Sequence, residues 1–309
     1  MRRDRVRIAL LGAGAMARVH AAACAALPDV ELIDVPARDD ARVRAVLEDR
    51  AVDAVDICLP SAVHARFAIP ALERGKHVFC ETPMALRLDE ARTMRDAARK
   101  AGRLLQVGLL MRSVAGYRHI KDLAEAGTHG RLLSLSAWRL GSYLRPGAPD
   151  HKPHYGDPTT ELMTFDLDFA NWLMGKPERI SAGGTAEIAA LLEYADGRHA
   201  AIAASGSMPS GMPFRAGFRA LFESACFELQ QVFENGPPRV SFTAAEGGSP
   251  PRPITLQDGN PYGIELRRFV DCICGRADPW LLDADRAIEA LTLSLEIRQA
   301  LSPAPGAGS

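Results

Sequence analysis

The pattern of apolar and polar positions changes its grammar once, near residue 116. Before that point, short apolar runs alternate with segments of helical spacing. The apolar runs are Val6 to Leu11, "VELIDV", "VDAVDICLP", "HVFCE" and "LLQVG". The helical segments are "AMARVHAAACAAL", Ala41 to Glu48, Ala65 to Glu73 and Asp89 to Lys100, the last closed by Gly102. Strand and helix in strict alternation predict a doubly wound parallel sheet of Rossmann type.

Beyond a connecting helix near Gly116 to Ala126, strand-like segments follow one another through Gly, Asp-Gly and Asn-Gly turns, from "RLLSLSAWRLGSY" to "RVSFTAAEG". That succession predicts an open antiparallel sheet. One helix, Leu162 to Met174, interrupts it, and two more, Tyr262 to Cys274 and Asp283 to Leu301, close the chain. The division expected is therefore a Rossmann-type domain over 1–115, an α/β domain over 116–301, and a small, Pro/Gly-rich disordered tail over 302–309. About seventeen residues separate Val35 from the strand at Val52, room for one helix where a full unit would supply helix, strand and helix. The parallel sheet is thus expected to lack its outermost strand, leaving the adenosine side of the site less enclosed.

Composition narrows the partners. The 309 residues are 47% hydrophobic and 24% charged, enough for two cores, and the net charge of -1 offers no footprint for nucleic acid or an anionic membrane. No apolar run is long enough to cross a bilayer, so a cytoplasmic location and a small-molecule partner are expected. The six cysteines are scattered without a disulfide framework. Cys272-x-Cys274 has the wrong spacing for a zinc knuckle, and His151-x-x-His154 lies in a Pro-rich loop without a third ligand, so no metal is expected.

The chemistry starts at "LLGAGAMARVH". Gly12-x-Gly14-x-x-Ala17 follows a strand and opens a helix, the context in which glycines let backbone amides meet a pyrophosphate. An acid for the adenosine ribose is expected at the end of the second strand. Asp34 lies within that strand, and its end reads Pro36-Ala37-Arg38. An arginine there suits a 2′-phosphate, which tilts the choice between NADP and NAD toward NADP.

Several stretches together resemble the glucose-fructose oxidoreductase, inositol dehydrogenase and rhizopine-catabolism family (Gfo/Idh/MocA). They are "GAGAMARVHAAACAALPDVEL", "VDAVDICLPSAVHARFAIPALERGKHVFCETPMALRLDEA", "GRLLQVGLLMR", "DLDFANWLMGKP" and the final helical region. The resemblance implies hydride exchange between nicotinamide and a sugar or cyclitol hydroxyl, and a second domain whose sheet mediates a homo-oligomer, dimer or tetramer. It places cofactor contacts at Gly12, Gly14, Ala15 and Met16, at Leu59, Pro60 and His64, and at Glu81, Thr82 and Pro83.

The family's proton chemistry rests on a Glu-Lys-Pro lysine and an Asp-x-Gly-x-His turn. Here the lysine position holds Thr82, and aligning "WLMGKP" puts Glu161, Met163 and Phe165 at the Asp, Gly and His positions. Thr82, still a catalytic candidate by its position, can donate and accept a hydrogen bond but cannot titrate near neutrality, and Phe165 can do neither. Glu161 is the surviving acid-base candidate, with a helix-dipole acid as its structural alternative. His154 and Tyr155, in the loop before that helix, are candidate replacements, and Arg112 and Phe165 are candidate substrate contacts.

The resulting expectation is an NAD(P)-dependent oxidoreductase with altered proton delivery, acting on a small carbonyl, imine or hydroxyl substrate. The alternatives are a non-redox enzyme, such as a cyclase or lyase, and a non-catalytic partner subunit on the same scaffold.

Overall fold

The computed structural model of the chain describes residues 5–148, 151, 156–234, 237–257 and 259–301. The expected tail over 302–309 lies outside them, as do His154 and Tyr155. By packing, the chain divides into two compact units, Met1–Val114 with Asp258–Leu291, and Ala115–Gln257 with Thr292–Ser309. No helix among the described residues is long and apolar enough to cross a membrane.

The first unit is built on β1 (Val6–Leu11), α1 (Ala15–Ala25), β2 (Val30–Val35), α2 (Asp40–Glu48), β3 (Ala54–Ile57), α3 (His64–Glu73), β4 (His77–Cys80), α4 (Leu88–Ala101) and β5 (Leu105–Val107). All strand pairs are parallel, in the order β2-β1-β3-β4-β5. The inner strands are covered on both faces, which explains their largely apolar runs: every residue of β3, Asp56 included, is buried. β2 is the edge, and its mixed burial reflects that. The strand missing from the sequence pattern is missing from the sheet. Between β2 and β3 the chain forms only α2, started by Asp39, whose carboxylate accepts from the Arg42 amide at 3.0 Å. At the far end of α4, Gly102 takes φ +60° and closes the helix.

The second unit opens with α5 (Ala115–Ala126), β6 (Leu132–Leu140), the one-turn α6 (Pro158–Glu161) and α7 (Met163–Met174). It continues through β7 (Arg179–Gly183), β8 (Ile188–Glu193), β9 (His199–Ser205), β10 (Phe214–Phe222), β11 (Ala225–Phe233), β12 (Arg239–Glu246) and the short β13 (Arg252–Pro253). Two helices follow, α8 (Pro261–Ile273) in the first unit and α9 (Ala284–Leu301). The eight-stranded sheet runs β13-β12-β11-β10-β6-β9-β8-β7. It is antiparallel except for β6 and β9, a parallel pair. Parallel neighbours require a long crossover, and the chain between them, which carries α6 and α7, supplies it. Tyr117, Phe169 and Phe218 pack edge to face or tilted with ring centroids 4.6 to 5.2 Å apart and form the core beneath this sheet.

Candidate functional site

The glycine loop lies between β1 and α1. Gly12 has φ +144°, and a Cβ on it would lie 2.5 Å from the Cys58 carbonyl oxygen, so only glycine fits there. Gly14 is the N-cap of α1 with an ordinary φ of −78°, and a Cβ there would meet nothing within 4 Å. Its bareness therefore serves space outside the protein rather than packing within it. Ala17, the last fingerprint position, is buried against Leu10 and Cys58, which brings helix and strand together. No side chain caps α1 and its first turn carries no acid, so the amides at Ala15 and Met16 face outward without a competing anion. These features fit a dinucleotide pyrophosphate. Arg38 is exposed in the turn after β2.

Two further turns end β3 and β4. After β3, Leu59 is half-buried and Pro60 exposed. After β4, the Thr82 hydroxyl donates to the Gly108 carbonyl at 2.8 Å, and the Thr82–Pro83 peptide is cis. His64 is fully buried and joins these turns, with Nε2 2.7 Å from the Leu59 carbonyl and Nδ1 3.0 Å from that of Pro83. Burial lowers its pKa, although the two carbonyls and Glu81 oppose the change. Its ring thus lies between the two turns and, when neutral, donates to one of the two carbonyls.

Glu81 faces inward. Its Oε1 lies 2.6 Å from His20 Nε2, and His20 Nδ1 lies 2.9 Å from Asp56 Oδ2. Glu265, on α8, is buried beside them, with neither carboxyl oxygen hydrogen-bonded. Sequence reasoning passed over His20, Asp56 and Glu265. The available signal was a histidine at a core position of an Ala-rich helix and an aspartate inside an otherwise apolar strand.

In the second unit, Glu161 ends α6 and is 6% exposed. Asp157 starts that turn, its carboxylate accepting from the Thr159 amide at 2.7 Å. Phe165, on α7, is half-buried and lies over Arg139, whose guanidinium carbon is 4.7 Å from the ring centroid. Arg139 also pairs with the fully buried Asp166, Nε to Oδ2 at 3.0 Å. Burial pushes the Asp166 carboxyl up to about 6 even though Arg139 pulls the other way. Arg112, expected to touch substrate, is 2% exposed in the first unit and donates to the Leu281 carbonyl at 3.0 Å. His151 is tied to the Tyr143 carbonyl at 3.0 Å.

A family model described as oxidoreductase family, NAD-binding Rossmann fold, matches residues 6–109, and the GFO/IDH/MocA C-terminal domain matches residues 117–223. scyllo-Inositol 2-dehydrogenase (NAD(+)) of Bacillus subtilis (strain 168) is 26% identical over 263 residues, 79% of this chain and 74% of that protein. Levoglucosan dehydrogenase of Pseudarthrobacter phenanthrenivorans is 27% identical over 211 residues, 57% of this chain and 53% of that protein. The matches thus span 53% and 74% of these relatives' own lengths. Among solved structures, aldose-aldose oxidoreductase of Caulobacter crescentus has the same fold, with a TM-score of 0.82 at 21% identity over 96% of this chain and 97% of that one.

Proposed function

Because the chain belongs to the Gfo/Idh/MocA oxidoreductase family, we propose that it is an NAD(P)-dependent enzyme moving a hydride to or from a small sugar-like substrate. The observation that carries this reading is the loop at Gly12 and Gly14. One glycine is forced by the Cys58 carbonyl, the other is bare toward solvent, and an uncapped helix start follows. The amides at Ala15 and Met16 would hold the pyrophosphate, Arg38 a 2′-phosphate, and the turns at Leu59-Pro60 and Thr82-Pro83 would flank the remainder. Arg38 in place of an acid supports NADP over NAD. When bound, nicotinamide supplies the hydride acceptor or donor.

Oxidation of a carbinol also releases one proton, which needs an acceptor within about 3 Å. The Thr82 hydroxyl donates to Gly108, and Phe165 offers no proton-carrying atom. Glu161 is left as the acid-base residue in this reading. Weak proton delivery suits an imine or activated ketone better than a plain sugar alcohol, since those acceptors need less acid assistance.

Titrating the protein with NADPH and NADH and following energy transfer from tryptophan tests the reading. Binding is expected, tighter for NADPH; no binding of either at millimolar concentration removes it. The loss of proton-carrying side chains at Thr82 and Phe165 favours a second reading, a non-redox enzyme on this scaffold. Cofactor binding without hydride loss across carbonyl and imine panels would select that one. Leu191 and Leu221 are exposed apolar residues on the same face of the large sheet, which supports a homo-oligomer formed through it. Light scattering of the purified chain decides this point.

A further inference from the structure

Three buried or largely buried carboxyl groups, Asp56, Glu81 and Glu265, surround the single imidazole of His20 in the first unit. Asp56 and Glu81 approach the two ring nitrogens at 2.9 and 2.6 Å. Burial alone would lower the His20 pKa, but the charge and hydrogen bond of Asp56, with Glu81 close by, raise it and favour the charged ring. One positive charge then answers three acids. Glu265 is 1% exposed and neither of its oxygens has a hydrogen-bond partner. Burial first, and the neighbouring Glu81 charge second, drive its carboxyl well above the usual range. A neutral Glu265 has an O–H to donate, and Glu81 Oε1 is itself buried without an aligned donor.

A metal ion is the other way to balance such a cluster. His20, Cys58 and Glu81 each offer one ligand atom within 4.8 Å of the others. The 2.6 Å approach of Nε2 to Oε1 speaks against it. Two ligands about 2.0 Å from a tetrahedral ion stand about 3.3 Å apart. The Cys58 thiol, raised by burial and by Asp56, keeps its proton and directs it to Asp56 Oδ1 at 3.7 Å.

The cluster acts on a particular stretch of backbone. Glu81 immediately precedes the Thr82–Pro83 turn, its carboxyl packs 3.5 Å from where a Gly108 Cβ would stand, and Thr82 is hydrogen-bonded to that same Gly108. A shift of the Glu81 side chain therefore moves the turn. We propose that His20 and Glu265 are positioning residues that lock the Glu81-Thr82-Pro83 turn, His20 by bridging Asp56 and Glu81, and Glu265 through its buried carboxyl beside them. This rests on the reading of that turn as part of the cofactor site.

The groups that face Glu265 are Glu81 after β4, His20 on α1 and Asp56 on β3. Ionising Glu265 adds a third negative charge among them and loosens the turn. Measuring NADPH affinity and thermal unfolding of the wild type, E265Q, E265A and H20Q between about pH 6 and about pH 10 tests this. The wild type should lose affinity and stability toward alkaline pH. E265Q, whose amide keeps a neutral donor, should hold the neutral-pH dissociation constant within about twofold and lack the alkaline fall, while E265A and H20Q weaken binding about tenfold. A metal-content measurement on the same samples should find no stoichiometric ion. An E265Q curve that follows the wild type, or E265A and H20Q variants that bind as the wild type does, would overturn the lock alone. A wild type that binds neither dinucleotide would overturn the cofactor reading and the lock together.

Discussion

The nucleotide end of the first unit and the α6–α7 segment of the second use different parts of the chain. At the glycine loop the proposed contacts are backbone: amides at the start of α1, and positions where a side chain is absent. In α6 and α7 the candidate positions are side chains, with Glu161 and Phe165 where the family resemblance expects Asp and His. A backbone site survives most substitutions that keep its glycines. A proton-transfer site is rewritten by one substitution. The contrast shows how a chain can keep the family fold while the residues at its proton-transfer positions change.

The side-chain half of the contrast gives the largest expected effect. If Glu161 carries the proton, Glu161→Gln should lower turnover by about 10²- to 10⁴-fold while leaving the NADPH dissociation constant unchanged. Steady-state kinetics alongside a binding titration separate the two, and full activity in the variant removes Glu161 from the mechanism.

The backbone half is probed by two substitutions that look alike in sequence. Gly12→Ala forces a Cβ against the Cys58 carbonyl and a non-glycine residue into φ +144°, so it should cost about 1–3 kcal/mol or more of stability. Gly14→Ala meets no protein atom and keeps an allowed φ, so unfolding should shift by no more than about 0.5 kcal/mol. Its cofactor affinity should nevertheless fall about tenfold, because the new methyl occupies the space the phosphates approach. Equal NADPH affinity in Gly14→Ala and wild type would show that the bare surface at Gly14 is not the phosphate site.

Much of this contrast was legible in the sequence, for physical reasons. The alternation of apolar runs with helical spacing gave the parallel sheet, and the short chain between Val35 and Val52 gave the absent strand, because both are local patterns. Pairing partners are not local. Nothing near β6 or β9 announces that they lie side by side and parallel. The same limit hid the buried cluster, since positions 20, 56, 81 and 265 become neighbours only after folding. Burial was illegible too. Arg112 read as a reachable cation, whereas the fold encloses it and gives it the Leu281 carbonyl, and His64 turns both nitrogens to backbone.

The smallest expected effect sharpens the comparison from the second unit. Asp166 sits fully buried beside Arg139, and its carboxyl is shifted from 3.8 to about 6 because desolvation outweighs the guanidinium. In this window the folded chain holds a proton that the unfolded chain has released, so stability from this group is present below about pH 3.8 and lost as pH rises through about 6. Half-buried acids with depressed pKa values, such as Glu193 and Glu246, act in the opposite sense, so the total curve hides the contribution of Asp166. The difference between wild type and Asp166→Asn isolates it. Urea unfolding at steps across pH 4 to 7 should show the wild type losing stability relative to the variant, by no more than about 1.4 kcal/mol per pH unit for one proton. A difference that is flat with pH, or that grows in the wild type's favour, would mean that Arg139 outweighs burial and holds Asp166 ionised throughout. The α7 pair would then be an ordinary ion pair, and the upward shift that burial gives Glu265 in the first unit would have no counterpart in the second.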